Sequence, residues 1–155
     1  MMRYRIALQM DKAFAGKIEP KLLRAAARAA LEHEAAPAPG ELTIALTSDA
    51  ALRELNRDYL GHDEVTDVLS FPSGEVNPET GARYFGDIAL SYPRALAQAN
   101  VGGHPVSAEV LLLVVHGVLH LLGHDHVAPT EKARLWAAQA AILKSLKAPI
   151  TAPAE

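Results

Sequence analysis

The chain has 155 residues, of which 50% are hydrophobic, 21% are charged and none is cysteine. This composition predicts one folded domain without disulfide bonds, in which only histidine, aspartate or glutamate could hold a zinc ion. The net charge of −3 gives no reason to expect a nucleic acid partner from the whole molecule, although residues 1–34 carry seven lysines or arginines against four acids and could face a phosphate backbone.

The spacing of apolar residues predicts an alternation of strands and helices. Alternating polar and apolar side chains are typical of half-buried strands, whereas an apolar stripe every three to four residues is typical of a helix. In chain order we first expect a strand at residues 4–10, a helix that begins at Pro20, a connector at 35–40, a strand at 42–46 and a helix capped by Ser48 or Asp49. These are followed by a short strand that ends at Pro72, a hairpin loop at 73–82, a returning strand at 84–91 and a short helix from Ser91 to about Asn100.

Two more helices are predicted in the last third of the chain. The central helix begins near Pro105 and ends at Gly123, because glycine readily adopts the left-handed conformation found at helix C-termini. The last helix begins at Pro129, and Trp136 is expected to join its core packing. The other side chains that should pack inward from it are Leu135, Ile142, Leu143 and Leu146.

Together these elements predict a single α+β domain at residues 1–148, with a small mixed β-sheet covered by helices. The Pro- and Ala-rich residues 149–155 should form a loose tail. The segment from Met1 to Met10 lacks the apolar core of a signal peptide, and the apolar run at 110–115 is too short to span a membrane. We therefore expect a cytoplasmic protein with no membrane partner.

Four histidines follow that apolar run within eleven residues: His116, His120, His124 and His126. His116 and His120 are four positions apart, so in a helix they lie on one face and can bind one metal ion together. A turn at Gly123 can carry His126 back towards them. Three protein nitrogens leave the fourth tetrahedral position open for water, which is typical of a catalytic zinc site. Three histidines also suit nickel or copper.

Such a site predicts hydrolysis, because zinc lowers the pKa of bound water to near 7 and polarises a carbonyl or phosphoryl oxygen. The spacing His-x3-His-x2-Gly-x2-His is that of the metzincin peptidases, in which a glutamate after the first histidine is the general base. Here that position is Gly117, which cannot accept a proton. A metallopeptidase is therefore the weaker alternative.

Three further segments, Leu55–Tyr59, Thr66–Pro72 and Gly86–Ser91, stand in order before the histidine motif. Together with residues 116–126 they resemble the YbeY family, bacterial endoribonucleases that are also described as ribosomal RNA maturation factors. The histidine motif and the block Thr-Asp-Val-Leu-Ser-Phe-Pro are highly specific. The first fifty residues match the family only in their strand-helix-strand layout.

The resemblance implies a zinc-dependent endoribonuclease that cleaves single-stranded RNA, in maturation of the 3′ end of small-subunit ribosomal RNA and in ribosome quality control. One Zn2+ per chain would be held by His116, His120 and His126, and catalysis would proceed through the metal-bound water. The implied partners are single-stranded RNA and ribosomal RNA, with proteins of the small ribosomal subunit as further candidates.

The chain departs from the family at Leu60, where an arginine thought to bind RNA usually follows the tyrosine. Because leucine cannot donate to phosphate, we hypothesise that Arg57, three residues earlier on nearly the same helix face, substitutes for it. His124, where the family often has tyrosine, is a second candidate for substrate binding, and Asp125 could orient a ligand histidine. The candidates for a general base are His62, Asp63 and Asp125.

A third interpretation is a ribosome-assembly factor in which the metal has a mainly structural role. Leu60 supports it, and so does the acidic central region, since residues 41–91 carry ten acids against three arginines. Such a factor would keep its association with RNA or the ribosome after loss of a metal ligand, whereas an enzyme would lose turnover.

Overall fold

A computed structural model describes residues 3–124 and 128–146 of the chain. These residues form four β-strands and five α-helices in the predicted order. They are β1 (Tyr4–Met10), α1 (Pro20–His33), β2 (Gly40–Thr47), α2 (Asp49–Leu60), β3 (Val68–Pro72), β4 (Arg83–Ser91), α3 (Tyr92–Gly102), α4 (Val106–Leu121) and α5 (Pro129–Ser145). The predicted tail at 149–155 lies outside the described residues.

The four strands form one mixed sheet in the order β1-β2-β4-β3. β1 pairs with β2 and β2 pairs with β4 in parallel, so each pair needs a crossover, which contains α1 in the first case and α2 with β3 in the second. β3 pairs antiparallel with β4, as the predicted hairpin requires. The α+β architecture predicted from the sequence is therefore confirmed, and β1 and β3 are the edge strands.

α4 is the central helix of the core because it is apolar on almost every side. It packs against α1, α3 and α5 and against the sheet, where Ile44 and Ile88 point towards it and are buried. α2 covers the opposite face of the sheet through a small cluster around Leu52. No helix among the described residues is long and apolar enough to cross a membrane alone, and α3 and α4 meet that description only as a pair bent by 117°.

The prediction that Trp136 packs into the core is wrong. α5 buries Leu135, Ile142 and Leu143 as expected, but 36% of Trp136 is exposed. Successive residues of a helix are rotated by about 100° around its axis, so Trp136 lies at the edge of the buried stripe that contains Leu135. Its ring instead lies 4.6 Å from Nζ of Lys132, which is a cation–π contact at the surface.

Candidate metal centre

α4 presents His116 and His120 one turn apart near its C-terminal end. Their Nε2 atoms are 2.9 Å apart and their ring centroids are 4.4 Å apart. Two nitrogens bound tetrahedrally to one zinc ion, each at about 2.05 Å, are separated by about 3.3 Å. The distance between the two Nε2 atoms is therefore within a few tenths of an ångström of the distance that one shared zinc ion requires. Imidazole nitrogen is also a ligand that zinc favours.

The two histidines lie in an open groove of about 270 Å³ between α4 and the edge strand β3. The remaining lining residues all belong to β3 and are Val68, Leu69, Ser70 and Pro72. The Ser70 hydroxyl donates a hydrogen bond of 3.0 Å to the carbonyl oxygen of Gly117, and so ties the strand to the helix between the two histidines. The hydrogen bond therefore holds β3 against α4 beside the histidines.

Gly117 faces the sheet and not the groove. A Cβ atom at this position would lie 2.8 Å from Cγ2 of Ile88, so only glycine lets α4 approach β4 this closely. A glutamate here would point into Ile88 and could not serve the histidines as a base. The structure thus adds a steric reason to the chemical one against a peptidase mechanism.

The end of α4 is closed by the glycine turn that the sequence predicted. Gly123 has φ +101°, its amide donates to the His120 carbonyl, and the His124 amide donates to the Leu119 carbonyl. These two bonds are those of a Schellman motif. The motif ends the helix immediately after the paired histidines and redirects the chain that leads to His126.

The predicted third ligand, His126, and the predicted orienting residue, Asp125, lie outside the described residues. The part of the chain that is described accordingly contains no group of three His, Cys, Asp or Glu side chains close enough to hold a metal ion. Binding by His116, His120 and His126 together stays a prediction.

His124 turns away from the groove and contacts the end of α1. Its Nε2 atom is 2.5 Å from Oε1 of Glu34, and it lines a different surface depression, formed with Glu131 and Arg134. Burial raises the pKa of the Glu34 carboxyl, but hydrogen bonds and charge from His124 and His33 lower it by more, so the net pKa lies below its ordinary value.

This lowered pKa predicts a pH-dependent contribution to stability. Because the pKa of Glu34 is lower in the folded state than in the unfolded state, Glu34 stabilises the fold above about pH 4.5, and the stabilisation is lost as the pH falls through the lowered value. We expect Glu34→Gln to reduce the free energy of unfolding near neutral pH, measured with urea, and the difference from wild type to shrink as the pH falls below about 4.5. A difference independent of pH would contradict this assignment.

The other candidates from the sequence are on the exposed surface around α2. Arg57 Nε is 2.9 Å from Oδ1 of Asp58, and Arg53 Nε is 2.8 Å from Oδ1 of Asp63. His62 is exposed as well. None of these side chains lines the histidine groove. Their predicted roles in RNA binding or proton transfer stay predictions.

Sequence reasoning missed one residue of the site, Gln139 on α5. Nδ1 of His116 donates a hydrogen bond to its side-chain oxygen, and Gln139 is fully buried. The signal was available, because position 139 falls inside the apolar stripe that contains Leu135 and Ile142. A polar side chain in such a stripe needs a partner.

The mixed sheet and the paired histidines beside its edge define an α+β domain with a histidine groove suited to metal-dependent hydrolysis. The family model described as Endoribonuclease YbeY matches residues 8–147. The chain therefore belongs to the YbeY endoribonuclease family, as its sequence blocks indicated.

Curated relatives and a solved structure agree with this assignment. The chain is 44% identical over 154 residues to Endoribonuclease YbeY of Chloroflexus aurantiacus, covering 96% of this chain and 99% of the relative. It is 40% identical over 147 residues to Endoribonuclease YbeY of Roseiflexus sp., covering 91% and 92%. The solution structure of TM1509 from Thermotoga maritima shares the fold, with a TM-score of 0.58, 23% identity and coverage of 98% and 97%.

Proposed function

We propose that this endoribonuclease is zinc-dependent and cleaves single-stranded RNA during maturation of the 3′ end of small-subunit ribosomal RNA and in ribosome quality control. The observation that carries the proposal is the convergence of His116 and His120, 2.9 Å apart at Nε2, in a groove open along β3. Membership of the endoribonuclease family supplies the reaction class, hydrolysis of a phosphodiester.

His116, His120 and His126 would hold one zinc ion per chain. When bound, zinc lowers the pKa of water to near 7 and polarises a phosphoryl oxygen. The protein's own contribution is position: α4 fixes the two rings, and β3 forms the opposite wall with the apolar side chains of Val68 and Pro72. This wall limits how far an RNA strand can shift away from the histidines.

The N-terminal part of the chain offers a basic surface that could contact the RNA backbone. Arg3 is exposed just before β1, Arg5 on β1 and Lys12 just after it, and Lys21 is exposed on α1. Phosphate contacts of this kind supply affinity without sequence preference. We place the protein in the cytoplasm, where ribosomal RNA and small-subunit proteins would be its partners.

The proposal is tested by comparing two substrates of the same sequence. Zinc-loaded protein should cleave a single-stranded fragment from the 3′ end of small-subunit ribosomal RNA, and annealing a complementary strand should protect it. Equal cleavage of both forms would contradict the proposed substrate. No cleavage of either form, with zinc bound at one equivalent, would contradict the proposed activity.

We propose that Arg57 takes the role of the arginine that the family usually has at the position of Leu60. We expect Arg57→Ala to weaken binding of single-stranded RNA and to reduce the slope of log affinity against log salt by about one. Arg53→Ala is the matched control, because Arg53 lies one turn earlier on α2 and is equally exposed and paired with a carboxylate. Leu60→Arg should restore affinity in the Arg57→Ala protein. Identical losses from both alanine variants would show a general charge effect and remove Arg57 from the site.

One observation favours assembly-factor activity as a second function. A groove of about 560 Å³ between α2 and the ends of β1 and β2 is lined by the carboxylates of Asp11, Glu54 and Asp58. Acidic side chains in a groove suit a basic protein partner. An assembly factor would still associate with the small subunit after His120 is replaced, whereas cleavage would stop.

A further inference from the structure

We infer that Gln139 is a positioning residue that sets the tautomer of His116 and so prepares its Nε2 atom for metal binding. The inference rests on the proposed zinc site but concerns a residue of α5 that is outside the histidine motif.

Gln139 is polar at a position where the fold calls for an apolar side chain. It is fully buried on the face of α5 that also buries Leu135 and Ile142. Its Nε2 atom is buried too, and within the described residues it has no hydrogen-bond partner. Burying an amide that is only partly satisfied is less favourable than burying an apolar side chain of the same size. Stability of the core therefore does not account for glutamine at this position.

The hydrogen bond that Gln139 does make is directed at a candidate metal ligand. Its Oε1 atom can only accept, so Nδ1 of His116 must carry the proton. A neutral imidazole has one N–H, and with the proton on Nδ1 the lone pair is on Nε2. Nε2 is the His116 atom that lies 2.9 Å from Nε2 of His120 in the groove. Gln139 thus selects the tautomer whose lone pair faces the groove.

The same bond restrains the rotation of the His116 ring. A histidine ligand whose second nitrogen donates to a fixed acceptor keeps its orientation, and removing such an acceptor typically lowers metal affinity about 10- to 100-fold. Gln139 can act as a fixed acceptor because its side chain is fully buried on α5, which packs against α4.

Two substitutions distinguish the role of Gln139 as a hydrogen-bond acceptor from its role in packing. Gln139→Leu keeps about the same size and removes the acceptor, whereas Gln139→Glu keeps an acceptor oxygen in the same place. We expect Gln139→Leu to bind zinc about 10- to 100-fold more weakly than wild type in competition with a chelator. Gln139→Glu should stay close to wild type or bind more tightly. The thermal midpoint of the metal-free Gln139→Leu protein should match or exceed that of wild type, because an unsatisfied amide is removed.

Nitrogen NMR of metal-free wild type provides a test that needs no variant. With the ring neutral, His116 of wild type should carry its proton on Nδ1. In Gln139→Leu the proton should be on Nε2 or should exchange between Nδ1 and Nε2. A proton on Nε2 in wild type, or zinc affinity unchanged in Gln139→Leu, would overturn the inference. If wild type bound no zinc at all, the proposed metal site would be contradicted. The NMR measurement would still show whether Gln139 sets the tautomer of His116.

Discussion

Replacing His120 with asparagine is expected to lower cleavage of single-stranded RNA by at least about 10³-fold. Asparagine remains polar and compact, but it lacks the ring that brings Nε2 to within 2.9 Å of His116. Zinc content should fall below one equivalent per chain in the same preparation. Cleavage is measured as the initial rate on a labelled fragment of ribosomal RNA, and metal content by elemental analysis.

The control for this variant is His33→Asn, which changes an exposed histidine on α1 whose ring contacts Glu34 and not the groove. We expect its cleavage rate and zinc content to match wild type. Circular dichroism should show that both variants are folded. Cleavage that survives unchanged in folded His120→Asn protein would show that the histidine pair is not the catalytic centre, or that a contaminating nuclease is present.

Gly86→Ala is expected to give the largest loss of stability from a single methyl group, about 3–5 kcal/mol. Gly86 has φ +137°, a backbone conformation that residues other than glycine rarely adopt. A Cβ atom would also lie 2.3 Å from the carbonyl oxygen of Phe71 and 2.9 Å from Cδ2 of Leu121. The strain of the backbone and the overlap therefore add. The measurement is the urea concentration at half-unfolding.

The matched control is Gly81→Ala in the loop between β3 and β4. Gly81 also has a positive φ, +74°, but a Cβ atom there meets nothing within 4 Å. Its substitution should cost only about 1–2 kcal/mol, from the backbone conformation alone. The difference between the two variants reports the close approach of β4 to β3 and α4 together with the more restricted backbone conformation at Gly86. Equal losses would mean that the overlap at Gly86 is relieved by movement of β3.

The elements of the fold could be predicted because their local signals agree with the tertiary structure. Pro20 and Pro129 begin helices, Ser48 caps α2, and Gly123 ends α4, all through local interactions that do not depend on distant residues. The same is true of His116 and His120, since helical spacing alone places them on one face.

The features that the sequence did not reveal depend on contacts between elements. The orientation of Trp136 depends on which face of α5 meets α4, and periodicity leaves a residue at the edge of the stripe undecided. The bond from Ser70 to Gly117 joins positions 47 residues apart, and the bond from His116 to Gln139 joins positions 23 apart. A buried glutamine in an apolar stripe indicates that a partner is needed but not which one.

Removing and restoring the metal tests most directly whether the histidine groove is the zinc-dependent ribonuclease centre that we propose. Wild-type protein is freed of metal with a chelator, analysed for zinc, and assayed on single-stranded ribosomal RNA before and after one equivalent of Zn2+ is added. We expect cleavage to disappear with the metal and to return with it in wild type, but not in His120→Asn. Full cleavage by protein that contains no metal would contradict the claim.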